Sequence, residues 1–190
     1  MTAKTLLSSA LIAAASSALF LSSAISATAK SDKKSSQTKR QLQLNGSATR
    51  TVLGFEVYDV DLYVTRTSKN ENMIYKDTGK KRVQIKMLRE VKGKKFESTV
   101  RKNIDTNFSS AEKKKYNQDL ERFLGCFVHR TLAENTVVHI DYLPGKGTRV
   151  SVQGKQLELI AGDEFYHALL RLWIGNPPQK SVKQGLLGKA

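Results

Sequence analysis

His139 and Asp141 are the pair in this sequence whose types and spacing suggest acid–base chemistry. They stand two apart in a segment of alternating polarity, so a strand would place both on one face, where a carboxylate can orient an imidazole. A solvated sheet surface is the competing reading and the simpler one. His129 closes a helical pattern, and His167 shares a helical face with Arg171 that is expected at the surface. The 3 histidines show no metal-ligand spacing. Cys126 is the only cysteine, so no disulfide forms within the chain; flanked by Gly125 and Phe127 in an apolar pattern, it reads as a buried thiol. The glycines from Pro144 to Arg149 resemble a phosphate loop only superficially, lacking its spacing and its strand–loop–helix setting. There is no His-Glu-x-x-His, nucleophile elbow or Cys-x-x-Cys. No metal and no cofactor are expected.

The elements that would position any site follow from periodicity. Gln41–Leu44 reads as a short strand closed by Asn45-Gly46. From Thr51 to Val64 the chain is β-prone, but Phe55 and Val57 share one phase while Tyr58, Val60, Leu62 and Val64 share the other. A strand cannot change faces without an irregularity, so a bulge or bend is expected near Tyr58. Arg82–Leu88 alternates again, with Val83, Ile85 and Met87 inward. The period then becomes helical. Phe96, Val100, Ile104 and Phe108 form one stripe; Tyr116, Leu120, Phe123, Leu124, Phe127 and Val128 form a second, behind a cap at Ser109 or Ser110. Alternation returns at Thr136–Tyr142, and turns at 144–147 and 153–155 make the following strands a three-stranded meander. A last helix is expected with Asp163 as its N-cap, and Gly175 and Pro177 end it. The sum is an α+β fold: a mostly antiparallel sheet with helices on one face.

The ends of the chain differ from this middle. Lys4, the apolar and small residues that follow, and Ala27-Thr28-Ala29 have the anatomy of a secretory leader over residues 1–29. Residues 30–40, KSDKKSSQTKR, read as a basic disordered tail ahead of one domain at 41–190. Export is expected, to the periplasm if the host is Gram-negative. The formal charge of +15 includes further clusters at 80–82, 92–95 and 113–115. No stacking platform or recognition motif accompanies the charge, so specific nucleic-acid binding is not expected; an anionic membrane surface suits an exported basic protein better. A monomer is expected.

One resemblance covers Leu42 to Gly188. The run NGSATRTVLGFEVYDVDLYV resembles the opening β-hairpin of the chalcone-isomerase-like superfamily. Three blocks agree in order: KRVQIKMLREVKGKKFESTVRKNI, NTVVHIDYLPGKGTRVSVQGKQLELI and DEFYHALLRLWIGNPPQKSVKQGLLG. The likeness is greatest to the exported bacterial branch. It implies an open-faced β-sandwich with a pocket between sheet and helices. True isomerases close a ring there on a planar polyphenol; fatty-acid-binding relatives hold an acyl chain whose carboxylate meets an arginine.

By that resemblance the family arginine is Arg50. The ketone-polarising threonine falls at Tyr58, the tyrosine opening the pocket helix at Phe96, and the helix asparagine at Asn103. The threonine–methionine pair of the last helix falls at Leu172 and Trp173. Two hydroxyls are thereby replaced by apolar groups. Ring closure needs donors aimed at the developing enolate oxygen, so true chalcone isomerase activity is not implied. A guanidinium suits a carboxylate or phenolate, and the expected ligand is a small amphipathic carboxylate or an aromatic anion. Three readings stay open: a binding protein for such an anion, an isomerase or intramolecular lyase of altered substrate, and a structural or envelope protein with a filled pocket. The second predicts an enclosed pocket with a donor facing the ligand's reactive oxygen. The third predicts Arg50 paired to a protein carboxylate.

Overall fold

A computed structural model describes residues 41–189. The expected leader and basic tail lie outside them. The chain opens with two strands, β1 (Gln43–Val52) and β2 (Phe55–Val64), then a short helix, α1 (Glu71–Lys76), and β3 (Lys81–Met87). The two-residue strand β4 (Val91–Lys92) leads into three helices, α2 (Gly93–Asn107), α3 (Ser110–Lys115) and α4 (Asn117–Gly125). β5 (Thr131–Leu132), β6 (Val137–Leu143), β7 (Gly147–Val152) and β8 (Lys155–Ile160) follow, and α5 (Asp163–Ile174) and α6 (Lys180–Leu186) close the described chain.

Six strands form one sheet in the order β1-β2-β3-β6-β7-β8, antiparallel at every junction; β4 and β5 pair separately. The fold is therefore α+β, an open antiparallel sheet with a layer of helices on one face. The expected meander is β6–β7–β8.

Alternation decides which face is covered. Val60, Leu62, Val83, Ile85, Val138, Ile140 and Val150 are at most 1% exposed and share one core with Phe123, Phe165 and Leu169 from the helices and Phe127 from the turn after α4. Burying each such side chain stabilises the fold by about 1.5–3 kcal/mol. The opposite face stays open because its residues are polar and satisfy one another. Ser47, Asp61, Gln84, His139 and Ser151 stand opposite one another across five strands. Ser47 donates to Asp61 at 2.6 Å, Gln84 donates to Asp61 at 3.1 Å, and His139 Nε2 meets Gln84 Oε1 at 2.9 Å.

Several expectations shift. Asn45-Gly46 does not end a strand: β1 runs through it with a bulge between Leu44 and Gly46. Gly46 is required for another reason, since a Cβ there would lie 2.1 Å from the Gly185 carbonyl, and one on Gly185 would lie 2.3 Å from the Ser47 carbonyl. Backbone meets backbone where α6 crosses β1. The single second helix is broken at Tyr116 (φ −101°, ψ 14°) into α3 and α4, and Phe127 and Val128 lie in the turn after it. Ser109 caps α3, with Glu112 completing a capping box. At α5 the cap is Gly162; the Asp163 carboxylate instead accepts from the Gly145 amide at 3.1 Å. His167 is half-buried, edge-on to Tyr142 at 5.0 Å between ring centres, not at the surface.

Candidate functional site

The phase change read near Tyr58 is a bulge that shapes a cavity. Arg50 pairs with Tyr58 but Thr51 pairs with Glu56, which leaves Val57 as the extra residue. The bulge lets Val57 and Tyr58 both line the cavity, where strict alternation would send one to the open face. Beyond it Leu53 (φ 50°) and Gly54 (φ 82°) make a two-residue turn with both central residues left-handed, the type I′ geometry that suits the twist of paired strands.

The cavity, about 620 Å³, falls in the usual range for small-molecule sites. Arg50, Tyr58, Phe96, Asn103, Leu172 and Trp173 all line it. Phe96, Val100 and Asn103 are spaced at four and three residues on α2, with Thr99 between them, and so present one helical face. Phe96 is fixed by Phe127, with ring centres 4.9 Å apart, and Phe127 in turn by Phe123 at 5.4 Å. Val52, Leu53 and Phe55 at the hairpin tip also line the cavity and are 43%, 93% and 62% exposed.

The polar groups differ in what remains free. Asn103 Nδ2 donates to the Leu172 carbonyl at 2.8 Å, and its Oδ1 accepts from Asn107 at 2.8 Å. Asn107 also donates to the Asn176 carbonyl and accepts from the Asn176 amide. The two asparagines thus tie α2 to the end of α5. Thr99 donates to the Lys95 carbonyl at 2.8 Å, within its own helix. Burial pushes the Tyr58 phenol up from its ordinary value, against the pull of the neighbouring Arg50 guanidinium and Trp173 indole, so the ring carries a neutral hydroxyl. Arg50 Nη1 donates to Gln179 Oε1 at 2.8 Å and to its own neighbour's carbonyl at Thr51. Among the described residues Arg50 makes no ion pair.

Gln179 was not legible in the sequence. Its carboxamide accepts from the Thr51 amide at 2.9 Å and donates to the Thr49 carbonyl at 3.1 Å, pairing with the free edge of β1 as a strand would. It fixes Arg50 with a neutral partner. The sole signal for it was Pro177-Pro178, which stops the preceding helix and extends the chain toward that edge.

The acid–base pair suggested by spacing does not form. His139 bonds Gln84, and partial burial holds its imidazole below its ordinary pKa. Asp141 is 2% exposed, not solvated, and bonds Arg82 at 2.6 Å and Arg149 at 2.6 Å from the neighbouring strands. Burial would raise its pKa; the two guanidiniums outweigh that and hold it low. Cys126 is buried, and burial pushes its thiol up to about 11, which leaves it protonated and unreactive. Among the described residues no group of His, Cys, Asp and Glu could hold a metal ion, and no helix is long and apolar enough to cross a membrane.

No curated protein matches this sequence. A matching solved structure is the crystal structure of an Arabidopsis thaliana fatty-acid binding protein, with a TM-score of 0.56 and 15% identity over 77% of this chain and 86% of that one. At that identity the likeness is one of fold. The profile of chalcone isomerase-like proteins matches residues 24–188, beginning six residues before Lys30, inside the stretch expected to be a leader. With the sheet, the helical layer and the cavity between them in place, that match identifies the chain as a member of the chalcone isomerase-like family.

Proposed function

We propose that this protein binds a small amphipathic anion, a fatty acid or comparable lipid carboxylate, with the head at Arg50 and the apolar body against Val57, Phe96, Val100 and Leu172. Arg50 carries the reading. A guanidinium lines an otherwise mainly apolar cavity, held by a neutral carboxamide, and no carboxylate among the described residues neutralises it. Arg50 is half-buried, and a partly desolvated charge favours a partner, which the ligand supplies. The similar Arabidopsis protein is itself a fatty-acid binding protein, which supports the class of ligand. Of the two groups an altered isomerase would use, Asn103 is engaged within the protein, its amide on the Leu172 carbonyl and its oxygen on Asn107, which leaves the neutral Tyr58 phenol alone and favours binding over catalysis.

The test is native mass spectrometry of the protein purified from its own host, with extraction of any bound molecule, followed by calorimetric titration with fatty acid. Arg50→Ala is expected to lose the co-purifying acid and to weaken binding by about tenfold or more. A wild-type protein that is empty and indifferent to fatty acids overturns the reading. The same spectrum checks the proposed export, because removal of residues 1–29 is read directly from the intact mass.

We also propose an anionic lipid surface as the partner with which the ligand is exchanged. The exposed apolar tip Val52, Leu53 and Phe55 is continuous with the cavity wall. The Arg89 guanidinium lies 5.1 Å from the centre of the Phe55 ring, and Lys92 and Lys95 line the same opening. Apolar residues beside cations suit a headgroup boundary.

A further inference from the structure

The cavity that takes the apolar body does not stop at Arg50. Arg50, Thr99, Asn103 and Pro178 form a wall shared with a second cavity of about 760 Å³, open on the other side. Its charged lining is entirely basic. Lys102 comes from α2, Lys180 and Lys183 from α6, and Lys189 from the chain beyond it, and no aspartate or glutamate joins them. Lys183 is paired with Glu71 at 2.8 Å. Lys102, Lys180 and Lys189 make no ion pair among the described residues, and neither does Arg50. Thr106, Asn176 and Gln184 add uncharged polar side chains, and Gly175, Pro177 and Leu187 fill the rest of the lining.

A single carboxylate at Arg50 would answer one of these charges and leave the lysines facing water. A phosphate monoester carries nearly two negative charges near neutral pH and several strong acceptor oxygens. Lysine ammonium groups serve such a group as mobile point charges, while a guanidinium fixes one edge of it. We propose that the second cavity seats a phosphate-bearing head, so that the preferred ligand is a single acyl or alkyl chain ending in a phosphate ester. The chain lies in the apolar cavity, the head lies among Lys102, Lys180 and Lys189, and Arg50 stands at the junction. This inference rests on the amphiphile-binding reading above and names the head group within it.

Three probes decide it by calorimetry on the intact protein as purified from its host: dodecanoate, dodecyl phosphate and inorganic phosphate, the amphiphiles kept monomeric. Dodecyl phosphate is expected to bind about tenfold or more tightly than dodecanoate. In a Lys102→Ala/Lys180→Ala double variant that advantage should shrink to about twofold or less, while dodecanoate binding is unchanged. Both lysines are exposed, so the fold survives their loss, as circular dichroism would show. Raising salt from about 50 to about 500 mM should also narrow the gap, because the head cavity is open to solvent. Equal affinity for the two amphiphiles, or a gap that persists in the double variant, overturns the phosphate site but leaves the amphiphile reading standing. Inorganic phosphate binding as tightly as dodecyl phosphate makes this a free-phosphate site and overturns the coupling to the apolar cavity. Binding of neither amphiphile removes the reading on which the inference rests.

Discussion

At the scale of single residues, Lys81 carries a charge into the interior. It is 1% exposed, donates to the Asp77 carbonyl and, at 3.3 Å, to that of Gly79, and lies 4.8 Å from the centre of the Tyr142 ring. Burial lowers its pKa to about 8, although the Asp77 and Asp163 carboxylates oppose the shift. An unfolded lysine keeps its proton to about pH 10.4. Above pH 8, therefore, the unfolded chain holds the extra proton and stability rises with pH through this group. Tyr142, raised to about 12 chiefly by burial, acts with the opposite sign once an unfolded tyrosine ionises near pH 10, and the Cys126 thiol, raised to about 11, already does so above about pH 8.5. The Lys81 contribution is therefore read as the difference between wild type and a Lys81 variant over about pH 8 to 10. Lys81→Met is expected to make the slope of Tm against pH less positive across that window; an unchanged slope would show that Lys81 does not shed its proton there on folding. Sequence alone gave no hint of this lysine's burial, because it opens a strand beside Lys80 and Arg82 in what reads as a solvated cluster. Arg50 is the contrary case: its place at the cavity wall was legible through the family pattern, whereas its partner Gln179 was not.

At the scale of elements, the β1–β2 hairpin shows what patterning conveys and what it hides. Two residues entering the cavity side in succession, Val57 and Tyr58, appear in sequence as a broken phase, and that break located the bulge. Gly46 misled for a physical reason: an Asn-Gly pair is a strong local turn signal, yet what demands glycine there is the α6 backbone, from the far end of the chain. The helices α1 and α6 and the β4–β5 pair are too short to show a period. The turn itself contains an inconsistency, since a leucine at φ 50° occupies a conformation that costs an L-residue about 1–2 kcal/mol and leaves its side chain 93% exposed. Leu53→Gly is expected to raise stability by about 0.5–1 kcal/mol, a shift of a few degrees in Tm. A lower Tm would mean that the leucine makes a stabilising contact.

At the scale of the whole molecule, charge and apolar surface set the partners. The full chain bears +15, and the apolar hairpin tip stands beside Arg89, Lys92 and Lys95. Sedimentation with vesicles containing anionic lipid is expected to carry the protein down, less so as salt rises, and less for Leu53→Ser/Phe55→Ser than for wild type. Equal binding to neutral vesicles, or indifference to the tip substitutions, would sink the membrane proposal. The lysine-lined cavity was illegible beforehand because Lys102, Lys180, Lys183 and Lys189 are scattered through the sequence and only the fold, which turns α2 and α6 toward one cavity, gathers them. Trp173 has a consequence of its own. It is the only tryptophan in the chain, 5% exposed, and it forms part of the apolar cavity wall. The indole emission of the entire protein therefore originates at one place, beside Tyr58 and the proposed ligand. Filling or emptying that space should change its colour and lifetime, which makes the unlabelled protein its own optical gauge of occupancy.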